Sequence, residues 1–287
     1  MSVSEPVSPG AGTERAVEVA VVAFGYELTG LFDGQQLVSV VLDASTDDDV
    51  PALVKTLRAA ARRAPHVIVI YAEWLDAGAL RRLQTARAAL DTSRVALVGS
   101  DLPPLAGSVL AVLCAALAPQ VHVGRLVGGL PRVANELVVI GWLRSVSGLK
   151  RPSPSMVQHA ASLIPRRGFG VQVQPEPFVR RLNPDREAPI ALVPETMEVV
   201  IADRAGDISW VTDVVNPALG RLRLSEVDAT HHGPAWWGTA RLTEVVVYPA
   251  DLDALAVRAT AELPQHRCGW CDTRVATPAC PFCGHAA

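Results

Sequence analysis

Short apolar runs and longer amphipathic stretches alternate along the first half of the chain. Residues 17–24 and 37–42 are β-rich, and Asp33-Gly34 predicts a turn between them, so the two runs are expected to pair as a hairpin. The polar cluster at 45–49 offers a helix N-cap, with Pro51 in the first turn behind it. The helix predicted from there runs to Arg63, with Leu53, Val54, Leu57 and Ala61 on one face. Residues 66–72, HVIVIYA, are apolar throughout, as a central parallel strand covered on both faces requires. Asp76 is placed to cap a second helix over 79–90. Residues 94–99 give another buried strand, 108–117 an apolar helix and 120–126 a further strand. Repeated β–α crossovers of this length predict an α/β fold with a Rossmann-like open, largely parallel sheet.

The rhythm breaks at Gly128-Gly129 and Pro131 before a strand at 136–143. Residues 145–154 read as a linker and 156–164 as a short helix stopped by Pro165. Residues 165–190 carry several prolines and glycines and read as a long loop or arm. Strands are predicted at 191–193, 197–203, 208–215, 221–227 and 241–248, then a helix at 251–263. The organisation expected is a disordered tail (1–15), a Rossmann-like α/β domain (16–143) and a basic helix with its Pro/Gly-rich arm (144–189). A smaller, acidic, β-rich α+β domain (190–263) and a C-terminal ribbon (264–287) complete it.

The ribbon rests on the strongest motif in the sequence. Cys268-Gly-Trp-Cys271 and Cys280-Pro-Phe-Cys283-Gly are two C-x-x-C pairs with eight residues between them. Four thiolates at that spacing can close a tetrahedron around Zn²⁺, and Gly284 permits the tight turn behind the second pair. A closed four-thiolate site holds structure and leaves no open position for substrate, so the zinc is expected to be structural. A pair of disulfides is the competing arrangement, and the absence of a signal peptide disfavours it. Over about twenty residues the pattern resembles the zinc ribbons, or rubredoxin-like knuckles. It departs from rubredoxin, whose pairs lie further apart, and so implies zinc over iron. The flanking residues also resemble the ribbon of NADH pyrophosphatases, but no Nudix box follows and that activity is not implied.

Composition narrows the class. The 287 residues are 49 % hydrophobic with a mean hydropathy of +0.25, yet the most apolar stretch, 105–119, is shorter than the roughly 20 residues that span a membrane. A buried helix is expected there, with Cys114 an ordinary core thiol. The tail has no apolar run and does not read as a signal peptide, so a cytoplasmic protein without membrane attachment is predicted. Net charge is −3, but residues 144–186 carry +6 and residues 187–262 carry −7. Arg151, Arg166, Arg167, Arg180 and Arg181 on the basic stretch can meet phosphates, or fold back on the acidic region beside them.

Catalytic signatures are weaker. Asp43, Glu73 and Asp101 follow predicted strands, where ligands of open parallel sheets bind, and three carboxylates there can hold Mg²⁺. Acidic residues also stand after strands simply to cap the next helix. The glycines at 124–129 match neither a P-loop nor a dinucleotide fingerprint. His231-His232-Gly-Pro-Ala-Trp236-Trp237 can line a ligand pocket or pack at the end of a hairpin. No G-x-S-x-G elbow is present. The function expected from sequence is a non-catalytic adaptor or regulator that engages a protein or nucleic-acid partner through its zinc ribbon and basic arm. The alternative is a Mg-dependent hydrolase or phosphotransferase built on Asp43, Glu73 and Asp101.

Overall fold

The computed structural model describes residues 17–28, 40–161, 168–182 and 197–286. The first four strands, β1 (Val19–Phe24), β2 (Val40–Ala44), β3 (His66–Ala72) and β4 (Val95–Ser100), form one parallel sheet in the order β2-β1-β3-β4. The hairpin expected of β1 and β2 is therefore a parallel pair, Ala20 beside Val40 and Phe24 beside Ala44. Every residue of β1 is buried, which suits an interior strand of a parallel sheet and not one arm of an exposed hairpin. The expected turn at Asp33-Gly34 lies outside the described residues.

Alternate residues of β1 and β3 serve two cores. Ala20, Val22 and Phe24 with Val67 and Val69 face α1 (Val50–Arg63) and α2 (Ala77–Ala88) through Leu53, Leu57 and Leu83. Both helices start where sequence placed their caps: Asp49 accepts from Ala52 N at 2.8 Å, and Asp76 from Gly78 N at 2.7 Å. Val19, Val21, Ile68 and Ile70 face the opposite way, onto α3 (Pro104–Leu117).

The run at 120–126 is not a strand. It opens α4 (Val123–Asn135), which passes through Gly128-Gly129 and carries Pro131 inside it. Val123, Leu126, Val127, Leu130 and Val133 repeat at helical spacing and are buried. The glycines answer a packing demand: a Cβ at Gly124 would overlap the carbonyl oxygen of Arg274, and at Gly129 it would lie 2.9 Å from that of Ala259.

A second, mixed sheet follows, with β5 (Val138–Leu143), a short helix α5 (Met156–Ala161), then β6 (Phe169–Gln174), β7 (Phe178–Arg181) and β8 (Met197–Arg204). Residues 169–181, expected to be loop, are thus an antiparallel edge hairpin. The predicted strand at 208–215 is helical: α6 (Ile208–Trp210) continues through a π-turn at Val211–Val215 into α7 (Asn216–Ala218). Asp207 caps it by accepting from Trp210 N, and Trp210, Val211 and Val215 pack beneath the sheet. Next come β9 (Leu224–Val227), α8 (Gly233–Trp237), β10 (Leu242–Pro249) and α9 (Leu252–Thr260), giving the strand order β7-β6-β5-β10-β8-β9. The fold is mixed α/β, with α3, α4 and α9 filling the space between a parallel sheet and a mixed one.

The ribbon closes the chain. Its hairpin, β11 (His266–Arg267) and β12 (Arg274–Val275), lies on α4, and Phe282 packs edge-on against His66 at 5.3 Å between ring centroids. Arg87 of α2 donates to the Phe282 carbonyl. His66 opens β3, so the ribbon stands at the amino-terminal end of the parallel strands. Among the described residues no helix is long and apolar enough to cross a membrane.

Gly124→Ala tests this docking. Helix propensity alone would favour alanine by about 1 kcal/mol, but the overlap with Arg274 costs roughly 1–3 kcal/mol. Denaturant unfolding should show a net loss, and limited proteolysis should cut the 264–287 segment first.

Candidate functional site

The carboxyl ends of β3 and β4 open into a cleft of about 490 Å³. Glu73 and Trp74 follow β3, Asp101 follows β4, Lys150 and Arg151 come from the loop after β5, and Ala235 and Trp236 belong to α8. Both sheets thus contribute. The loop and α8 are locked together by backbone: a Cβ on Gly148 or Gly238 would collide with the other glycine, and Gly238 ends α8 with φ at +67°.

The charged groups of the cleft are unevenly matched. Arg151 stands 3.6 Å from Asp101 across an exposed rim. The Glu73 carboxylate turns back over Gly99, where a Cβ would overlap it. Lys150 forms no ion pair among the described residues. The apolar wall is aromatic: Trp74 meets Tyr26 edge-on at 5.9 Å and His232 at 5.5 Å, while Trp236 meets Trp237 at 4.6 Å.

Behind this wall lies a buried carboxyl group. Helix α3 starts at Pro103-Pro104 with no side-chain cap. The amide of Leu105 instead donates to Oε1 of Glu244, a β10 residue only 2 % exposed. Trp237 Nε1 donates to the same oxygen at 2.9 Å, and Thr230 Oγ1 meets Oε2. Burial raises the Glu244 pKa above its ordinary value, and these hydrogen bonds only partly oppose that. A Cβ at Gly233 would lie 2.9 Å from Oε2, so Glu244 also fixes where α8 begins.

The site residues expected from sequence are distributed as follows. Glu73, Asp101 and Arg151 meet in the cleft. Asp43 is the last residue but one of β2, beside Ala23 of β1, and its side chain lies outside the described residues. Arg180 and Arg181 sit on the edge strand β7 instead of a separate arm, and Arg166 and Arg167 lie outside the described residues. Trp74, Lys150 and Glu244 were not singled out as site residues. Lone residues after a strand, in a loop and inside a strand carry no spacing signal. The His231–Trp237 stretch divides: Trp237 is core, whereas Trp236 faces the cleft and His232 stacks edge-on against the cleft residue Trp74.

Cys268, Cys271, Cys280 and Cys283 come together, their sulfurs all within 4.8 Å of one another, with Cys268 3.4 Å from Cys283 and Cys271 3.5 Å from Cys280. None is in a disulfide. Around a cation about 2.3 Å from each sulfur, a tetrahedron has edges of roughly 3.8 Å, so the set is compatible with a zinc ribbon. Amides of Cys271 and Trp270 pull the Cys268 thiol down to about 6, while burial pushes Cys280 up to about 12. Among the described residues no other group of three or more metal-ligating side chains is so placed. Glu73 and Asp101 therefore gather no such cluster.

No family model matches the sequence, and no curated protein does. Solved structures do match the fold. A fatty-acid-binding DegV family protein from Thermus thermophilus superposes with a TM-score of 0.57 at 11 % identity, covering 81 % of this chain and 100 % of that one. A DegV family protein from Corynebacterium glutamicum gives 0.54 at 11 %, covering 81 % and 97 %. DegV from Bacillus subtilis, described as a fatty-acid-binding protein, gives 0.53 at 9 %, covering 81 % and 99 %. This likeness overturns the adaptor and the magnesium-hydrolase expectations, and with them the protein and nucleic-acid partners: the shared fold is that of proteins described as holding a small lipid ligand. The physical reason agrees, since the described basic residues Lys150, Arg151, Arg180 and Arg181 sit in a cleft loop and on an edge hairpin, and Asp101 is matched by Arg151.

Glu244 gives a signed prediction. A raised folded pKa means the native state binds the proton more tightly, so stability is full below the ordinary carboxylate value and falls as pH rises toward the folded one. Glu244→Gln keeps an acceptor for Leu105 and Trp237 and a donor for Thr230, and should abolish that fall. Glu244→Leu strands all three partners and should lie about 1–3 kcal/mol below Glu244→Gln at every pH. Urea unfolding between pH 4 and 9 compares the three proteins.

Proposed function

We propose that this protein is a non-catalytic binder of amphiphilic carboxylic acids, held in the cleft between the two sheets. The observation that carries the reading is the joining of a fold shared with fatty-acid-binding proteins to a cleft whose described lining sets Lys150 and Arg151 beside the indoles of Trp74 and Trp236. Lys150 would receive the carboxylate in a charge-assisted hydrogen bond, with Arg151 beside it. Trp74 and Trp236 would cover the apolar portion, which gains by leaving water. Arg151 offsets the charge of Asp101 at 3.6 Å, and Glu73 is folded away on Gly99, so neither need repel the ligand's charge. Such binding needs no nucleophile or general base.

The four cysteines are proposed to hold zinc structurally. The sulfur geometry supports this, and the anchoring of Phe282 and Val275 in the core suggests what the ion would do: fix a strap across α2 and α4 at the end of the sheet away from the cleft.

Two measurements check these readings. Lys150→Glu should weaken octanoate binding roughly tenfold to a hundredfold, the worth of a charged hydrogen bond, by titration calorimetry. Unchanged affinity would remove the carboxylate from Lys150. Metal analysis should find close to one zinc per chain, falling sharply in Cys280→Ser while the circular dichroism of the α/β body persists. A metal-free wild-type protein would end the zinc proposal.

A further inference from the structure

Helix α8 has five residues, too few to hold its own shape in water, so its position is set by what it is tied to. The segment before it, residues 228–232, belongs to no strand or helix. Two carboxyl groups from distant parts of the chain hold that segment. Glu27, after β1, accepts from the His231 amide at 2.8 Å, and Glu244 of β10 meets the Thr230 hydroxyl. Glu244 also accepts from the Leu105 amide at 3.3 Å and from Trp237 Nε1. It therefore ties three segments at once, and each leads to the cleft. Asp101 lies shortly before Leu105, Trp236 is the neighbour of Trp237, and His232, just after Thr230, meets the cleft residue Trp74 edge-on. Beyond Trp237, Gly238 abuts Gly148, in the loop that carries Lys150.

The Glu244 carboxyl group is well bonded and badly solvated. It is 2 % exposed, and among the described residues no Lys or Arg pairs with it. Its neighbours across the sheet, Gly141 on β5 and Ala202 on β8, are uncharged, as are Leu105 of α3 and Trp237 of α8. Glu27, whose charge bears on it, has the same sign, and the titratable rings of His231 and His232 stand on the segment it holds. With its proton on, Oε2 can donate to Thr230 Oγ1 while Oε1 keeps both its donors, so every partner is met without a buried charge. With the proton off, a charge unmatched by any cation is left in the interior, and it is relieved only by water. Letting water in means parting the segments that Glu244 ties.

Resting on the binding function proposed above, we infer that Glu244, without touching the ligand, is a positioning residue of the cleft and that ligand affinity follows its protonation. Protonated, it fixes α8 and the start of α3, so that Trp236 keeps its place beside a ligand held at Lys150; ionised, it releases them. Binding then takes up a proton wherever the free protein has lost it. Affinity falls as pH rises, by at most about tenfold per pH unit for one proton.

Titration calorimetry of the full chain with octanoate between pH 6 and 9 tests this, far-UV circular dichroism confirming that the protein stays folded. Wild type should lose about tenfold or more in affinity over that range. It should also take up protons on binding, seen as a difference in heat between HEPES and Tris buffers. Glu244→Gln, which cannot ionise, should lose both effects. A fall that persists in Glu244→Gln would overturn the assignment, as would a flat wild-type profile. Thr230→Val removes a hydrogen bond that favours the ionised form, so its fall should move to higher pH. An unmoved fall in that variant, once folded, would likewise overturn the assignment, and it decides the matter if Glu244→Gln does not fold. Near-UV circular dichroism of the ligand-free proteins follows the tryptophans independently of any ligand. If octanoate gives no heat at any pH, the binding reading fails by itself. A tryptophan signal that changes with pH in wild type and not in Glu244→Gln would then keep the positioning role, and an unchanging one would end it.

Discussion

The structure depends on burying one helix from every side. In α3 all residues but Ala116 are inaccessible, and Ser108 returns its hydroxyl to the Pro104 carbonyl of its own helix. A helix so enclosed has no solvent to satisfy the amides of its first turn, and each one left unmet costs free energy comparable to a lost hydrogen bond. With prolines at 103 and 104 the sequence provides no side-chain cap locally. Glu244 supplies it from the second sheet. That single carboxyl group ties the helix from the first half of the chain to a strand 139 positions later. The hydrophobic contacts around α3 are non-directional; the Glu244 contact is directional and sets how the two sheets meet.

The same constraint shapes the two ends of the parallel sheet. At the carboxyl end, α3 must begin beneath the strands, and the segment leading into it offers the Ser100 and Leu102 carbonyls that hold Tyr26 and Trp74. At the amino end, the ribbon covers the start of β3 and leans on the glycine face of α4. Cleft and ribbon therefore occupy opposite ends of one layer. The ribbon's sulfurs contribute nothing to the cleft wall, and their chemistry has no direct route to a ligand there.

Much of the first sheet was legible in the sequence because parallel strands buried on both faces are apolar without interruption, as in HVIVIYA, and because Asp49 and Asp76 cap helices within a few residues of themselves. The cysteine cluster was legible for a similar reason, since coordination fixes spacing. The rest depends on partners remote in the chain. The glycines and Pro131 of α4 look like helix breakers, and only the approach of Arg274 and Ala259 explains the glycines. The β-branched residues at 208–215 read as a strand until Asp207 caps them into a helix. The direction of β2 cannot be read from its own residues. Glu73, Asp101 and Arg151 were found, but as parts of two separate ideas. Nothing local shows that one loop and one short helix bring them together with Trp74 and Trp236.

An identity near 10 % with proteins of the same fold is what one expects when the shared quantity is a packing plan. A helix between two sheets asks for small apolar residues at its contacts, and many sequences meet that demand. It places no requirement on the residues that line the opening above the helix. Those are free to differ from one chain to the next, and here the described ones include two tryptophans and four charges. The fold accounts for where the cleft lies. Under the binding role proposed above, what such a ligand can be is decided by the size and polarity of the side chains that this sequence puts around the cleft, so its chemistry must be argued from Trp74, Lys150 and Trp236 themselves.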